Sequence, residues 1–99
     1  MYIYEIEIFA TSCYINKYEI IKETNKQYKG KDHYGFVRVF PKQNIGVVLE
    51  NRYNFRVFST SLDECKKLSI EHLQELIAKV NDYKERVGVK YVYLRYVNI

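Results

Sequence analysis

The stretch that decides the fold covers residues 61–87 and reads SLDECKKLSIEHLQELIAKVNDYKERV. Apolar and small residues recur in it at steps of three and four, which places them on one side of a helical wheel. That side consists of Cys65, Ser69, Leu73, Leu76, Val80, Tyr83 and Val87, and it is widened by Ile70 and Ile77. The opposite side is charged and polar. The pattern therefore predicts one long amphipathic helix whose apolar side covers one face of a sheet.

Both ends of this helix carry capping residues. Ser61 and Glu64 fit a capping box, in which the serine oxygen accepts the Glu64 amide and the glutamate accepts the Ser61 amide. Arg86 is a cation in the last turn, where the helix dipole favours positive charge. Gly88 follows and can take the positive φ of a C-terminal cap. These residues predict a helix of about 61–87.

Strand patterns occupy most of the remaining chain. Residues 2–10 alternate, with apolar side chains on one side and Glu5 and Glu7 on the other, as in a half-buried strand. The stretch 29–32, which contains Gly30, is predicted to be a loop. Further strands are predicted at 34–40, ended by Pro41, and at 45–50, 53–59 and 89–97, with a two-residue hairpin at 51–52.

Residues 14–28 are compatible with two structures. Their β-branched and aromatic side chains favour a strand, whereas Tyr14, Tyr18, Ile21 and Tyr28 could also line a helix. With a strand, the chain is a single α+β domain over residues 1–99. It then has an antiparallel, twisted sheet of five to six strands and one long helix packed on one face. With a helix, the order becomes βαβββαβ, which is close to a ferredoxin-like sandwich.

Composition limits the classes of protein that this chain can represent. Its 99 residues suffice for one two-layer core, and its 11 tyrosines exceed what such a core needs, so some should lie on an uncovered sheet face. The net charge of +4 suits a polyanionic partner without requiring one. No membrane span or export signal is recognisable, so we expect a cytoplasmic protein that binds no membrane. Cys13 and Cys65 are expected to be reduced thiols.

Residues 34–39, YGFVRV, resemble the core of the first ribonucleoprotein motif of RNA-recognition domains. In that family two aromatic residues, here Tyr34 and Phe36, stack on bases from a central strand. The sequence departs from the motif at Asp32, His33 and Val39, where the family has a cation, a glycine and an aromatic residue. The resemblance implies nucleic-acid binding, while ordinary sheet packing accounts for the same pattern.

Residues 17–42 contain seven basic and three acidic side chains with tyrosines between them. Aromatic residues flanked by cations bind single-stranded nucleic acid, nucleotides or acidic protein surfaces. The alternative is a solvated strand pair whose lysines protect a sheet edge. The predicted contact consists of Tyr34, Phe36, Arg38, Lys22, Lys26 and Lys29.

Catalytic and metal-binding patterns are not recognisable in the sequence. His33 lies in a predicted loop, and His72 lies at the margin of the helical stripe, where a structural role is expected. The two histidines and two cysteines lack the spacing of metal ligands, and no phosphate-binding glycine loop occurs. We therefore predict a protein that is not an enzyme and that uses neither a cofactor nor a metal.

Residues 18–24, YEIIKET, together with the Lys/Glu-rich helix at 61–76 resemble small, mostly uncharacterised proteins of phages and prophages of Gram-positive bacteria. The resemblance implies an inhibitor that binds a host defence protein or ribonucleoprotein, with an anti-CRISPR protein that blocks an RNA-guided nuclease as one form. The alternatives are a module that binds RNA or single-stranded DNA and a protein that sequesters a nucleotide signal. The sequence leaves open whether the protein forms a homodimer.

Overall fold

The computed structural model describes residues 1–9, 12–51 and 54–87, the last five by their backbone alone. Six strands precede one helix in the described chain. The strands are β1 (Tyr2–Phe9), β2 (Cys13–Glu23), β3 (Gln27–Lys31), β4 (Val37–Pro41), β5 (Val48–Glu50) and β6 (Asn54–Ser59). The helix is α1 (Leu62–Val87), and a 3-10 turn at Lys42–Asn44 lies between β4 and β5.

All six strands form one antiparallel sheet in the order β4-β3-β2-β1-β6-β5. The prediction of an α+β chain with an antiparallel sheet of five to six strands and one long helix is confirmed for the described residues. The ferredoxin-like alternative is wrong, because residues 14–28 form most of a β-hairpin and not a helix. The strand predicted at 89–97, Gly88 and the hairpin at 51–52 fall wholly or partly outside the described residues.

The hairpin between β2 and β3 was not predicted. Thr24 makes it, because its Oγ1 accepts the amides of Lys26 at 3.4 Å and Gln27 at 3.2 Å. Its own amide donates to the Gln27 carbonyl at 2.9 Å. A single hydroxyl therefore turns the chain where the sequence offers neither glycine nor proline.

Gly30 lies inside β3, so the prediction of a loop at 29–32 is wrong for its first three residues. A Cβ at this position would lie 3.0 Å from Phe40 Cε2 and 3.0 Å from Tyr18 Cβ. The glycine is therefore needed because two side chains of the neighbouring strands cross over its backbone.

The sheet curls strongly. Phe40 on β4 and Phe58 on β6 are four strand positions apart, which would separate them by about 19 Å in a flat sheet. Their ring centroids are 5.3 Å apart in an edge-to-face contact. One edge of the sheet thus folds back over its middle and makes a concave side, called the inner side below. A buried cluster on this side consists of Ile3, Tyr18, Phe40 and Phe58.

The segment after β4 closes the curl. Ile45 forms a parallel bridge to Phe58, and the Gly46 amide donates to the Phe58 carbonyl at 2.7 Å. Gly46 has φ of 76°, and a Cβ there would lie 2.8 Å from Glu64 Oε1 at the start of the helix. The segment after β4 thus connects β4 to β6, at opposite parts of the curled sheet.

The helix lies on the convex side, against β1, β5 and β6. Cys65, Leu68, Leu73 and Leu76 contact a cluster formed by Ile6, Ile8, Phe55 and Val57. The predicted stripe is correct for Cys65, Ser69 and Val80, which are buried, but not for Ile70 and Ile77, which are 54% and 50% exposed. Leu68 takes part in the core instead, so the apolar stripe is rotated toward that side of the helix.

The predicted helix cap is half confirmed. Ser61 Oγ accepts the Glu64 amide at 3.2 Å, as expected. The Ser61 amide donates to Ser59 Oγ at 3.0 Å and not to the glutamate, because the Glu64 carboxylate is directed toward Gly46.

Several predicted strand limits also change. The strand predicted at 34–40 begins only at Val37, because Asp32 holds the preceding residues in a turn. The strand predicted at 45–50 is reduced to Val48–Glu50, because Ile45 and Gly46 belong to the closing segment. The prediction that Glu5 and Glu7 line a solvated side of β1 is wrong, because the curl encloses that side and leaves Glu5 only 2% exposed.

We expect Gly30→Ala to lower the free energy of unfolding by about 1–3 kcal/mol, because the new methyl group collides with Phe40 and Tyr18. Urea denaturation followed by circular dichroism measures the change. Lys31→Ala on the same strand is the control and should shift stability by about 0.5 kcal/mol or less. Equal midpoints for the two variants would contradict the close approach at Gly30.

A second expectation concerns Cys65, whose thiol donates to the Tyr4 carbonyl at 3.3 Å. Burial, and after it the Glu64 charge, raises the pKa of this thiol to about 11. The unfolded chain loses the proton near pH 9 while the folded chain keeps it. Stability contributed by the thiol is therefore present below pH 9 and falls as pH rises further, by up to about 1.4 kcal/mol per pH unit.

The contribution of the Cys65 thiol is isolated by comparing the wild type with Cys65→Ala. Their unfolding free energies are measured between about pH 8 and pH 10.5, and the other titrating groups are common to both proteins. The wild type should lose stability more steeply than the variant. Cys13→Ala is the matched control, since Cys13 is exposed. Parallel curves for wild type and Cys65→Ala would contradict the expectation.

Candidate binding interface

The helix covers only part of the convex side, and the outward side of β2, β3 and β4 is exposed. Ile15, Val37 and Val39 are 57%, 53% and 45% exposed there. We call this surface the open face. Strand register places on it Tyr2, Ile15, Lys17, Glu19, Lys22, Lys29, Lys31, Val37 and Val39.

Strand pairing arranges the open face in rows across the sheet. One row runs from Tyr2 through Glu19 and Lys31 to Val37. The next row runs from Lys22 through Lys29 to Val39. A register shift between Ile20 and Lys22 brings Lys22 onto this side of β2. The face therefore alternates cations with branched apolar side chains and carries four lysines against one glutamate.

The open face contains one favourable and one unfavourable electrostatic interaction. Lys17 Nζ lies 4.0 Å from the centroid of the Tyr2 ring, which is a favourable cation–π contact. Lys22 on β2 and Lys29 on the adjacent strand β3 are directly opposite each other, and like charges in such cross-strand pairs are destabilising. An anionic group bound over these two lysines would remove their repulsion.

The β3–β4 loop projects two aromatic rings beside the open face. Asp32 Oδ1 accepts the amides of Tyr34 at 2.9 Å and Phe36 at 3.0 Å, which fixes the loop. Tyr34 and Phe36 are 77% and 73% exposed, and the His33 ring lies 3.9 Å from the Tyr34 ring. The loop therefore presents its rings without burying them.

A depression of about 530 Å³ joins the loop to the open face. It is lined by Tyr2, Ile15, Asn16, Lys17, Tyr18, Glu19, Lys31, Asp32, His33 and Tyr34. Its two lysines are matched by two carboxylates. The depression combines aromatic rings with mixed charge and lies where the loop meets the strands.

Arg38 lies on the inner side of the sheet, away from the open face. Its Nη1 donates to the Tyr18 hydroxyl at 3.3 Å and lies 3.8 Å from Glu5 Oε2. Burial, and after it the Glu5 charge, raises the pKa of the Tyr18 phenol, so the hydroxyl stays protonated and donates a hydrogen bond to Glu5 Oε1 at 3.0 Å. Arg38 is thus part of an internal polar network.

The centre of that network is the buried carboxylate of Glu5. Its side chain is 3% exposed, and Oε1 also accepts from Asn16 Nδ2 at 3.0 Å. Arg56 Nη1 lies 3.7 Å from Glu5 Oε2, while Arg56 Nη2 donates to Glu7. Glu5 therefore has the hydrogen bonds and opposite charges that a buried carboxylate requires.

The six residues of the predicted contact thus lie in four places. Lys22 and Lys29 are together on the open face, and Lys26 is in the turn between their strands. Tyr34 and Phe36 are in a loop that leads to an edge strand, so the central-strand placement implied by the ribonucleoprotein resemblance is wrong. The placement of Arg38 beside them is also wrong, because alternation along β4 directs it inward.

Sequence reasoning missed part of the open face. Tyr2, Ile15 and Lys31 belong to it, together with Lys17, Val37 and Val39. Alternation of Ile15, Lys17 and Glu19 was present in the sequence and could have identified one side of β2. The assignment of Lys31 to a loop hid the third strand, and with it the row that joins Tyr2 to Val37.

His72 has the structural placement expected for it. Its ring lies 4.5 Å from the Phe55 ring in an edge-to-face contact, and its side chain is 11% exposed. Nε2 is 3.3 Å from Glu50 Oε2 without the alignment of a hydrogen bond, and Nδ1 is 3.8 Å from Glu75 Oε2. The imidazole thus joins the helix to the β5 side of the sheet.

Comparison of the chain with protein-family models, characterised proteins and solved structures finds no match. In the described ranges no helix is long and apolar enough to cross a bilayer. The same ranges contain no group of three or more His, Cys, Asp or Glu side chains placed to hold a metal.

Replacing Glu5 by Gln should lower the free energy of unfolding by about 1.5–3 kcal/mol, because the change removes the charge from its hydrogen bonds and leaves both arginines without this partner. Chemical denaturation gives the value. Glu19→Gln, which makes the same change at an exposed position, is the control and should be within about 0.5 kcal/mol of wild type. Equal losses would show that Glu5 does not hold the network.

Proposed function

We propose that this protein is a non-enzymatic binding protein that uses its open face to engage an acidic surface of another macromolecule. The observation that carries this proposal is the direct pairing of Lys22 with Lys29 among exposed branched side chains. The unliganded pair is electrostatically unfavourable, and an acidic partner reverses the sign of that interaction.

An acidic protein surface suits the open face better than a nucleic acid does. Ile15, Val37 and Val39 offer aliphatic contacts, which protein side chains match and which bases cannot stack on. The Tyr2 ring is engaged by Lys17 and is therefore not free to stack on both of its faces. Apolar contacts ringed by cations are the composition of a protein interface with an acidic partner.

The resemblance of residues 18–24 and of the helix to small phage proteins supports one class of partner. That class is a host defence protein or ribonucleoprotein, which the protein would inhibit by covering one of its surfaces. An anti-CRISPR role against an RNA-guided nuclease is one form of this proposal. Residues 18–22 form part of β2, whose outward side belongs to the open face, so the resemblance and the proposed contact involve the same strand.

Binding of single-stranded nucleic acid is the second candidate, and one observation favours it. Tyr34 and Phe36 are exposed in a loop beside Lys31, an arrangement in which bases stack on rings while a cation neutralises phosphate. This mode differs from the first in its salt dependence, because each phosphate contact releases counterions.

The decisive variant is Lys22→Glu, Lys29→Glu and Lys31→Glu combined, with Lys66→Glu, Lys67→Glu and Lys79→Glu on the exposed side of the helix as the control. Both variants carry the same net charge. We expect the open-face variant to lose partner affinity by at least tenfold, since like charges then face each other across the interface, roughly 1.4 kcal/mol or more. The helix variant should keep wild-type affinity.

Partners captured from a lysate of a Gram-positive host bacterium and quantified by mass spectrometry give the measurement. A protein that wild type and the helix variant recover equally, and that the open-face variant loses, identifies the partner. Equal recovery by all three proteins would refute the open face as the contact. The second candidate is tested by the affinity of the protein for a labelled single-stranded oligonucleotide, measured against salt concentration. The same affinity is measured for Tyr34→Ala and Phe36→Ala, which remove the two exposed rings.

A further inference from the structure

We propose that the inner side of the sheet contains a second site, which binds a small carboxylate with an apolar body between Arg38 and Arg56. This site is on the opposite side of the sheet from the open face and does not depend on the proposed function.

A cavity of about 220 Å³ lies on the inner side, under the closing segment. It is lined by Arg38, Val39, Phe40, Pro41, Asn44, Ile45, Leu49, Arg56 and Phe58. The lining thus contains two guanidinium groups and no carboxylate, and all but one of the other residues are apolar. The depression on the open face, by contrast, has as many carboxylates as lysines.

Both guanidinium groups keep donors for a ligand. Each has five N–H groups, and within the described chain Arg38 donates one hydrogen bond, to Tyr18, and Arg56 donates to Glu7. Their distances of 3.8 and 3.7 Å to Glu5 Oε2 are those of ion pairs and exceed hydrogen-bond length. The two side chains are 40% and 30% exposed, so a ligand can reach them.

The surroundings hold these groups in place before a ligand arrives. The Glu5 carboxylate attracts both arginines. The Arg38 guanidinium carbon lies 5.3 Å from the Phe40 ring centroid and 5.2 Å from the Phe58 ring centroid. Ring contacts fix the plane of a guanidinium without using its N–H groups. Pre-organised donors of this kind reduce the entropy lost on binding.

The cavity selects the chemistry of its ligand. A planar carboxylate matches the fork of a guanidinium and forms charge-assisted hydrogen bonds with it. Ile45, Leu49 and Phe58 offer an apolar environment for the rest of the molecule. The volume is below the range of roughly 300–1,000 Å³ that is common for drug-sized ligands. The site therefore suits one short aliphatic or aromatic acid and is too small for a nucleotide.

Isothermal titration calorimetry with 3-phenylpropionate tests the proposal. We expect saturable binding that is at least tenfold tighter than binding of the neutral amide, 3-phenylpropanamide. Inorganic phosphate is the third probe and should bind more weakly than the acid, because it gains nothing from the apolar lining. Equal affinity for acid and amide, or binding of phosphate alone, would overturn the proposed ligand class.

Two substitutions locate the site, and a third controls for charge. Arg56→Gln should weaken binding of the acid at least tenfold. Leu49→Trp, which fills the cavity and leaves both arginines in place, should abolish binding, and it keeps the test valid if the arginine variant is unstable. Lys31→Gln removes the same charge from the open face and should leave affinity within twofold of wild type. Unchanged affinity in a folded Leu49→Trp variant would place the ligand elsewhere.

The same carboxylate chemistry exists in free acids and at the C-terminus of a peptide. A tetrapeptide that ends in phenylalanine, compared with its C-terminal amide, separates these sources. Tighter binding of the peptide acid than of 3-phenylpropionate would assign the site to chain termini, whereas weaker binding supports a free acid.

Discussion

One buried carboxylate holds the curled sheet together. Glu5 on β1 attracts Arg56 from the adjacent strand and Arg38 from β4, which is three strands away. In a flat sheet Arg38 would start about 14 Å from Glu5. A buried carboxylate without partners costs several kcal/mol, so the curl and the buried charge depend on each other. The Phe40–Phe58 contact and the bridge at Ile45 close the same side with apolar packing and backbone hydrogen bonds.

The curl also determines which surfaces are free. The side chains of β4 alternate between two environments, with Arg38 and Phe40 on the inner side and Val37 and Val39 on the open face. The helix begins directly after β6 and covers the strands nearest to it, so the outward side of β2, β3 and β4 is exposed. A macromolecular contact on this face and a small acid on the inner side would therefore involve opposite sides of the same sheet, and β4 would contribute to both.

The open face and the inner side differ in how their positive charges are balanced. On the open face, Lys22 and Lys29 form no ion pair within the part of the chain that the structure describes, and a bound anionic surface would offset their repulsion. On the inner side, Glu5 and Glu7 already balance the two arginines, and a ligand would use the guanidinium donors that these carboxylates leave over. Long-range attraction suits a partner that docks from solution, whereas a pre-organised pair suits a small ligand.

The sequence by itself determined the helix, its serine cap, the first strand and the α+β class, because periodicity and capping act between residues close together in the chain. It also identified Lys22 and Lys29 as candidate contacts. Only the tertiary structure decided the roles of Gly30, Glu5 and Arg38. A glycine under two crossing side chains resembles a turn glycine in sequence, and a buried glutamate resembles a solvated one. Their environments depend on strands brought together by the curl, which no local pattern of residues encodes.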